Sequence, residues 1–395
     1  MMPETNKYAY LPEDLLLQIL EKTPETASKL AESIQLSKQQ TSEARGVLEN
    51  KNLIKKCPEG NHSESVMAAD GACIIDHKTS SDILLAIAVG VDGLSSKEAS
   101  SWPDGQRQYQ HWQAVLPHHV ANSRLAQGIM FLMELSILAG NDREIRIMDG
   151  SHLTTILKLN SLLSANDQDA ADQPYVNALS NFLNENYEKV IPDIPNIIRD
   201  AFSNDSVIGL TKYSSSREII DSKLDNLGID MDDKVFMSIL LKENEYTTPL
   251  PVGQCDKERS MWEKIHIRCN LNIEGVSNST EFNPQLEEAI KPFKITKDSK
   301  STLHFCYFKP ENYTSALRIE IKRELANDQT RLERMFRSIS NQIISTDIRE
   351  PYPQYLADIM AKNIHFGMDA INQGVFNNPI LNSRENFSLI FPYRT

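Results

Sequence analysis

Two short apolar segments each run into an aspartate followed by a glycine: Val66-Met67-Ala68-Ala69-Asp70-Gly71 and Ile145-Arg146-Ile147-Met148-Asp149-Gly150. Small and β-branched apolar runs of this length are how buried strands read, and Asp-Gly is common turn chemistry. The pair constrains the chain to a sheet that delivers two carboxylates to strand ends facing one cleft. Two acids brought together there offer oxygen ligands to hard divalent cations. Such chemistry points to metal-dependent phosphodiester cleavage, although a lone Asp-Gly is more often only a turn.

The surrounding pattern supplies the rest of the sheet. Val66 to Ile75 and Ile83 to Val91, separated by Asp76-His77-Lys78-Thr79-Ser80-Ser81, read as a hairpin. A helix from about Val120 to Ala139 carries apolar residues around much of its circumference. Glu134 lies inside it, and a buried charge is costly unless it is paired or bound to metal. A strand ends at Asp149, a helix covers Thr154 to Leu163, and the acidic stretch Ala165 to Asn186 reads as loop plus helix. Val207 to Lys212 is a short strand with Lys212 at its end, where it could meet a scissile phosphate. Strands at Leu303 to Phe308 and Leu317 to Ile321 follow, then helices over 326 to 346 and Pro353 to Gln373. Strands first, then mixed strands and helices, give an α/β or α+β class.

Two regions stand apart. Residues 1–60 read as a helical N-terminal extension, with a helix over Leu15 to Leu20, a restart at Thr23-Pro24-Glu25-Thr26 and another helix over Ser42 to Leu53. The remainder, 61–395, forms the main domain, with a polar insertion expected near 221–260. Asp230, Asp232 and Asp233 read as a solvated loop there, and His118-His119 as a surface turn rather than a metal site. Tyr307, Phe308 and Tyr313 could stack on bases, but strand core is the commoner explanation.

Composition excludes several classes. No apolar run approaches the roughly 20 residues that span a bilayer, and the first residues lack the basic and apolar regions of a signal peptide, so a cytoplasmic location is expected. Five scattered cysteines make neither a zinc site nor a disulfide framework. There is no P-loop, GxGxxG or nucleophile elbow. The net charge of −13 argues against a surface that coats duplex DNA, while leaving room for a narrow basic channel or delivery of DNA by a partner.

In their order, the segments resemble the NurA nuclease family, whose domain has an RNase H-like fold. Ala69-Asp70-Gly71 is similar to that family's first metal-binding aspartate, Met133-Glu134-Leu135 to its helix glutamate, and Ile147-Met148-Asp149-Gly150-Ser151 to its second acidic motif. Gly209-Leu210-Thr211-Lys212 resembles its strand ending in lysine, and Arg318-Ile319-Glu320-Ile321 its Arg-x-Glu strand. Tyr352-Pro353-Gln354-Tyr355-Leu356-Ala357-Asp358 resembles the tyrosine-proline motif opening the last helix. Many relatives carry histidine near the position of Asp358, so the last ligand is Asp358 or, failing that, His365.

The resemblance spans roughly 65 to 375. It implies an RNase H-like mixed sheet flanked by helices and a Mn2+- or Mg2+-dependent deoxyribonuclease. Asp70, Glu134, Asp149 and Asp358 would bind metal, with Lys212 at the phosphate. It also implies a homodimer working beside a hexameric HerA-type translocase, in DNA-end processing or phage defence. The other class of reading is a non-catalytic RNase H-like scaffold that docks on a translocase or on DNA.

Overall fold

The computed structural model describes residues 11–60, 63–94, 108–164, 173–186, 194–270, 279–383 and 386–390. Its strands are β1 (Ile54–Lys56), β2 (Val66–His77), β3 (Asp82–Asp92), β4 (Tyr109–Leu116), β5 (Ile145–Asp149), β6 (Val207–Thr211), β7 (Glu245–Thr247), β8 (Leu250–Pro251), β9 (Leu303–Lys309) and β10 (Leu317–Lys322). They form one mixed sheet in the order β1-β7-β9-β10-β6-β5-β2-β3-β4, with β8 attached to β9. The central pairs β2/β5 and β5/β6 are parallel and the others antiparallel. The expected hairpin is present and long: β2 and β3 pair from Met67 and Asp92 to His77 and Asp82.

Helices cover both faces: α1 (Glu13–Asn50), α2 (Asn122–Ala139), α3 (His152–Leu163), α4 (Gln173–Asn186), α5 (Ile194–Ser203), α6 (Glu218–Lys223), α7 (Asp233–Leu240), α8 (Asp256–Lys264), α9 (Ser279–Ile290), α10 (Arg323–Asn327), α11 (Gln329–Ser340), α12 (Tyr352–Lys362) and α13 (Ile364–Asn377). The mixed sheet flanked by helices is the RNase H-like arrangement expected. Successive strand side chains point to opposite faces, and the two cores follow that rule. Met67 and Ala69 join Leu125, Ile129 and Leu132 of α2 in the larger core. Val66 and Ala68 face the other way, with Ile147, Ile208 and Ile319, onto Leu332, Met335, Phe336 and Ile339 of α11. A third cluster seats Ile364 and Met368 of α13 on Ile83 and Leu85.

The structure differs from the sequence expectation in several places. α1 runs unbroken through Pro24, where a restart was expected. The proline ring removes one backbone hydrogen bond, and nearby Thr23 and Thr26 donate their hydroxyls to the carbonyls of Ile19 (3.0 Å) and Lys22 (3.2 Å). The last turns of α1 enter the main core through Ala44 and Leu48, and Arg45 forks onto Glu245 with two 2.8 Å bonds. The 221–260 stretch is woven into the sheet, since β7 lies between β1 and β9. The helix expected over 326 to 346 is shorter, starting at the Asp328 cap on Arg331 N–H (3.0 Å). The helix expected from Pro353 is divided at Asn363 into α12 and α13. Of the acidic 165–186 stretch, 165–172 lies outside the described residues.

α2 and α3 approach so closely that a Cβ on Gly128 would sit 2.5 Å from Leu162 Cβ. Gly128→Ala must therefore push α3 outward, at a cost of about 1–3 kcal/mol. Urea unfolding should show a lower midpoint with unchanged slope; an unaltered midpoint would contradict this packing.

Candidate metal centre

β2, β5 and β6 lie side by side and run the same way, with Ala69 opposite Met148 and Asp149 opposite Leu210. β5 stops at Asp149, and Gly150 turns the chain away with φ +109°. Ser151 then caps α3 by accepting from Thr154 N–H. This is the strand-end delivery that the sequence suggested. Asp70-Gly71 is different: it lies within β2, not at its end. Here β2 loses β5 as a neighbour but continues with β3, so Asp70 lies, buried, at the carboxyl edge of the parallel strands. Ligands of open α/β sheets commonly bind at that edge. Gly71 has a packing reason rather than a turn reason, because a Cβ there would lie 2.5 Å from Glu134 Oε1 and 2.6 Å from Met130 Cγ.

α12 closes the site from the other side and brings Asp358. Asp70, Asp149 and Asp358 each offer a carboxylate oxygen within 4.8 Å of the others. Lys212, one residue past β6, reaches into the same space. Its Nζ is 3.2 Å from Asp149 Oδ2, 3.3 Å from Glu350 Oε2 and 3.3 Å from Asp358 Oδ1. Glu134 is buried beside Asp70 but is not one of the three converging acids. His365 lies on α13, exposed, with Nδ1 on the Lys362 carbonyl (3.1 Å), and is not among them either.

Burial and mutual repulsion set the electrostatics. Burial, then the neighbouring Asp149 charge, pushes the Asp70 carboxyl up to about 7, against relief from Lys212 and the Gly71 amide. That amide donates to Asp70 Oδ1 at 2.8 Å. Burial holds the Glu134 carboxyl well above its ordinary range, with Asp70 and Asp149 adding to the effect. Burial works against the charge on Lys212, but Asp149, Glu350, Asp70 and Asp358 more than compensate and raise its pKa. Asp358 resists burial and stays low because Lys362 and Lys212 bind it, the former at 2.6 Å.

Two participants carried no role in the sequence reading. Glu350 binds Lys212 from the loop before α12, and Gln354 on α12, fully buried, donates to Asp149 Oδ1 at 2.6 Å. A cleft of about 630 Å3 opens beside the acids, lined among others by Lys212, Tyr213, Lys257, Trp262 and Lys362. Its floor is a buried ionic lattice. Arg318 bonds Glu320 and Glu218, and Glu320 accepts from the backbone N–H of His152 (2.9 Å) and from its ring Nδ1–H (3.1 Å). Burial alone would raise the Glu320 carboxyl, but Arg318 holds it down at about 2.

Other residues fall where the sequence did not put them. Asp233 is not in a solvated loop: it is fully buried and accepts from Ile219 N–H (2.8 Å) and Ile220 N–H (2.9 Å), while Asp232 caps α7. Tyr307 and Phe308 are fully buried strand core, as expected.

The NurA domain profile matches residues 61–359. A comparison with curated proteins finds no match. Among solved structures, the NurA nuclease from Sulfolobus solfataricus is similar over 93% of this chain and 100% of its own, with a TM-score of 0.54 and 14% identity. A NurA crystal structure with manganese covers 93% of this chain and 99% of its own (TM-score 0.46, 12% identity). Another, bound to dAMP and manganese, covers 86% and 92% (TM-score 0.46, 11% identity). The first of these likenesses is one of fold. With the profile spanning most of its length, this chain belongs to the NurA family.

Proposed function

We propose that this chain is a divalent-metal-dependent deoxyribonuclease. The observation that carries the reading is the convergence of Asp70, Asp149 and Asp358 around Lys212 at the mouth of a cleft. An all-oxygen donor set suits Mn2+ or Mg2+ rather than thiophilic metals. The raised Asp70 carboxyl fits the same need, because burial first, and then the charge of Asp149, disfavours its ionised form until a cation joins the acids. When bound, such ions supply Lewis acidity and a water that is nucleophilic at neutral pH.

The chain's own groups do the rest. Asp70, Asp149 and Asp358 would hold the metal, with Glu134 buried behind Asp70 on α2 as a further acid. Gln354 fixes the rotamer of Asp149 from behind. Lys212 bridges three acids; with metal on those acids, its ammonium would be available to the scissile phosphate. Glu350 holds Lys212 in reach of that phosphate. The neighbouring cleft, with Lys257 and Lys362 in its wall, receives the nucleotides flanking the scissile bond.

The net charge of −13 supports a division of labour in which a partner grips the duplex. We place that role with a HerA-type hexameric translocase, beside which a homodimer of this chain works in the cytoplasm, in DNA-end processing or phage defence. No helix of the described residues is long and apolar enough to cross a membrane.

Cleavage of linear and single-stranded DNA with Mn2+ is the direct test. Asp70→Ala and Asp149→Ala should each lower the rate at least 100-fold and remove the Mn2+-induced rise in Tm, with circular dichroism unchanged. Wild-type protein that neither gains stability with Mn2+ nor cleaves DNA beside the translocase would be a scaffold instead.

The pH dependence has a definite sign. An ordinary aspartate titrates near 3.9, and Asp70 is raised to about 7 in the folded, metal-free protein. Between those values the folded state holds a proton that the unfolded chain has lost, so this group's contribution to stability declines as pH rises. Bound metal must displace the same proton. Mn2+ affinity, read by calorimetry, should therefore rise from pH 5.5 to about 7 and level off above, and Asp70→Asn should remove much of the rise.

A further inference from the structure

The hairpin β2–β3 continues past Asp70 for seven more residues, roughly 23 Å of strand, and its far end meets the start of α2. Four side chains from separate elements gather there. His77 ends β2, Asp82 begins β3, His118 follows β4, and Asn122 opens α2. His77 Nδ1 lies 2.6 Å and His118 Nδ1 2.7 Å from the same oxygen, Asp82 Oδ1. Asn122 Nδ2 donates to the other oxygen, Oδ2, at 2.7 Å. The carboxylate is buried, with its side chain 2% exposed, whereas the two imidazoles are 45% and 42% exposed.

We propose that His77, Asp82 and His118 form a second metal site, for Zn2+ or a similar borderline cation, separate from the all-oxygen centre. The three residues offer ligand atoms within 4.8 Å of one another. Two imidazole nitrogens and one carboxylate oxygen are a zinc-type donor set, and three protein ligands leave a fourth position for water. Magnesium and manganese prefer the oxygen-only centre.

The surroundings match what orients such ligands. Asn122 pins Asp82 Oδ2, so Oδ1 is the atom presented to the imidazoles. His118 Nε2 lies 3.4 Å from the Thr79 carbonyl. Donation of Nε2–H to that carbonyl fixes the tautomer whose Nδ1 lone pair faces inward. In the ion-free protein an Nδ1–H instead serves as a hydrogen bond to Asp82, and burial of that aspartate is offset first by His77, then by Asn122 and His118. Seating zinc with bonds of 2.0–2.1 Å requires neighbouring ligand atoms roughly 3.3 Å apart. The exposed imidazoles reach that spacing by small outward rotations while Asp82 stays in place.

A cation there ties the end of β2, which carries Asp70, to the start of β3 and to the loop before α2, whose Asn122 is bonded to Asp82. α2 spans 12 residues from Asn122 to Glu134, about 18 Å, so the ion sits at the opposite end of that helix from the acids. The site is therefore structural, and it does not touch the reacting atoms.

The test uses the full chain with Asp70→Ala and Asp149→Ala, which disables the oxygen centre and leaves the second site to be read alone. We expect one equivalent of Zn2+ by calorimetry and a Tm rise of a few degrees at a hundredfold excess over Kd. Co2+ in place of Zn2+ should give the visible absorption of a tetrahedral nitrogen–oxygen site. Adding His77→Gln and His118→Gln, which retain amide donors to Asp82 and so preserve the fold, should abolish the Zn2+ equivalent and the Co2+ spectrum. In a chain with the oxygen centre intact, the same two changes should leave Mn2+ binding to the acids unaltered. Failure to bind Zn2+, or equal binding with both glutamines present, overturns the proposal.

Discussion

The crowding of carboxylates around one ammonium is the interaction on which the molecule is organised. Asp149, Glu350 and Asp358 all lie within 3.3 Å of Lys212 Nζ, and burial, with Asp149 beside it, pushes Asp70 up to about 7. Left in a half-buried place, such acids drive the strands and α12 apart. Lys212 acts as an internal counterion that lets the empty site hold its shape. A divalent cation held by Asp70, Asp149 and Asp358 would relieve the same repulsion more strongly and would free Lys212 for an anion.

Rigid supports keep those acids in place. Gln354 reaches Asp149 from inside α12, and the cleft floor is tied by Arg318, Glu320, Glu218 and the His152 backbone. A buried ion pair of this kind adds little net stability over an apolar core, but breaking one partner is costly because the other charge is stranded. Its value is geometric. It locks the start of α3 to β10 directly behind the strand end that presents Asp149.

What could be read in the sequence follows from how local each signal is. Asp149 and Lys212 follow short apolar runs, and their delivery at strand ends could be read within a few residues. Asp70 was legible as an acid in a strand, but Gly71 after it looked like a turn; only the packed structure shows that α2 and Glu134 require a residue without a side chain. Glu350 had no local mark, since it stands in a loop and matters only through Lys212. Asp233 looked solvated because its partners are two backbone amides fourteen and thirteen residues away. The paired role of His77 and His118 depends on a contact across 41 residues. Pro24 misled in the opposite direction, because a long helix absorbs one lost hydrogen bond. Periodicity reports which face is buried; it does not report which distant side chain arrives there.

The parts of the acidic centre lie far apart along the chain, with Asp70 early and Asp358 late. The sheet strands that hold Asp70 and Asp149 are complete, in order of synthesis, well before α12 is made. Bringing them together closes a long loop, whose entropic cost the packing of α12 on β2 and β3 must offset. Without α12, the acids on β2 and β5 have neither the third aspartate nor the Gln354 brace. The donor set is therefore complete only where a hairpin and a helix nearly 300 residues further along the chain meet, so folding of the whole domain is the condition for assembling it.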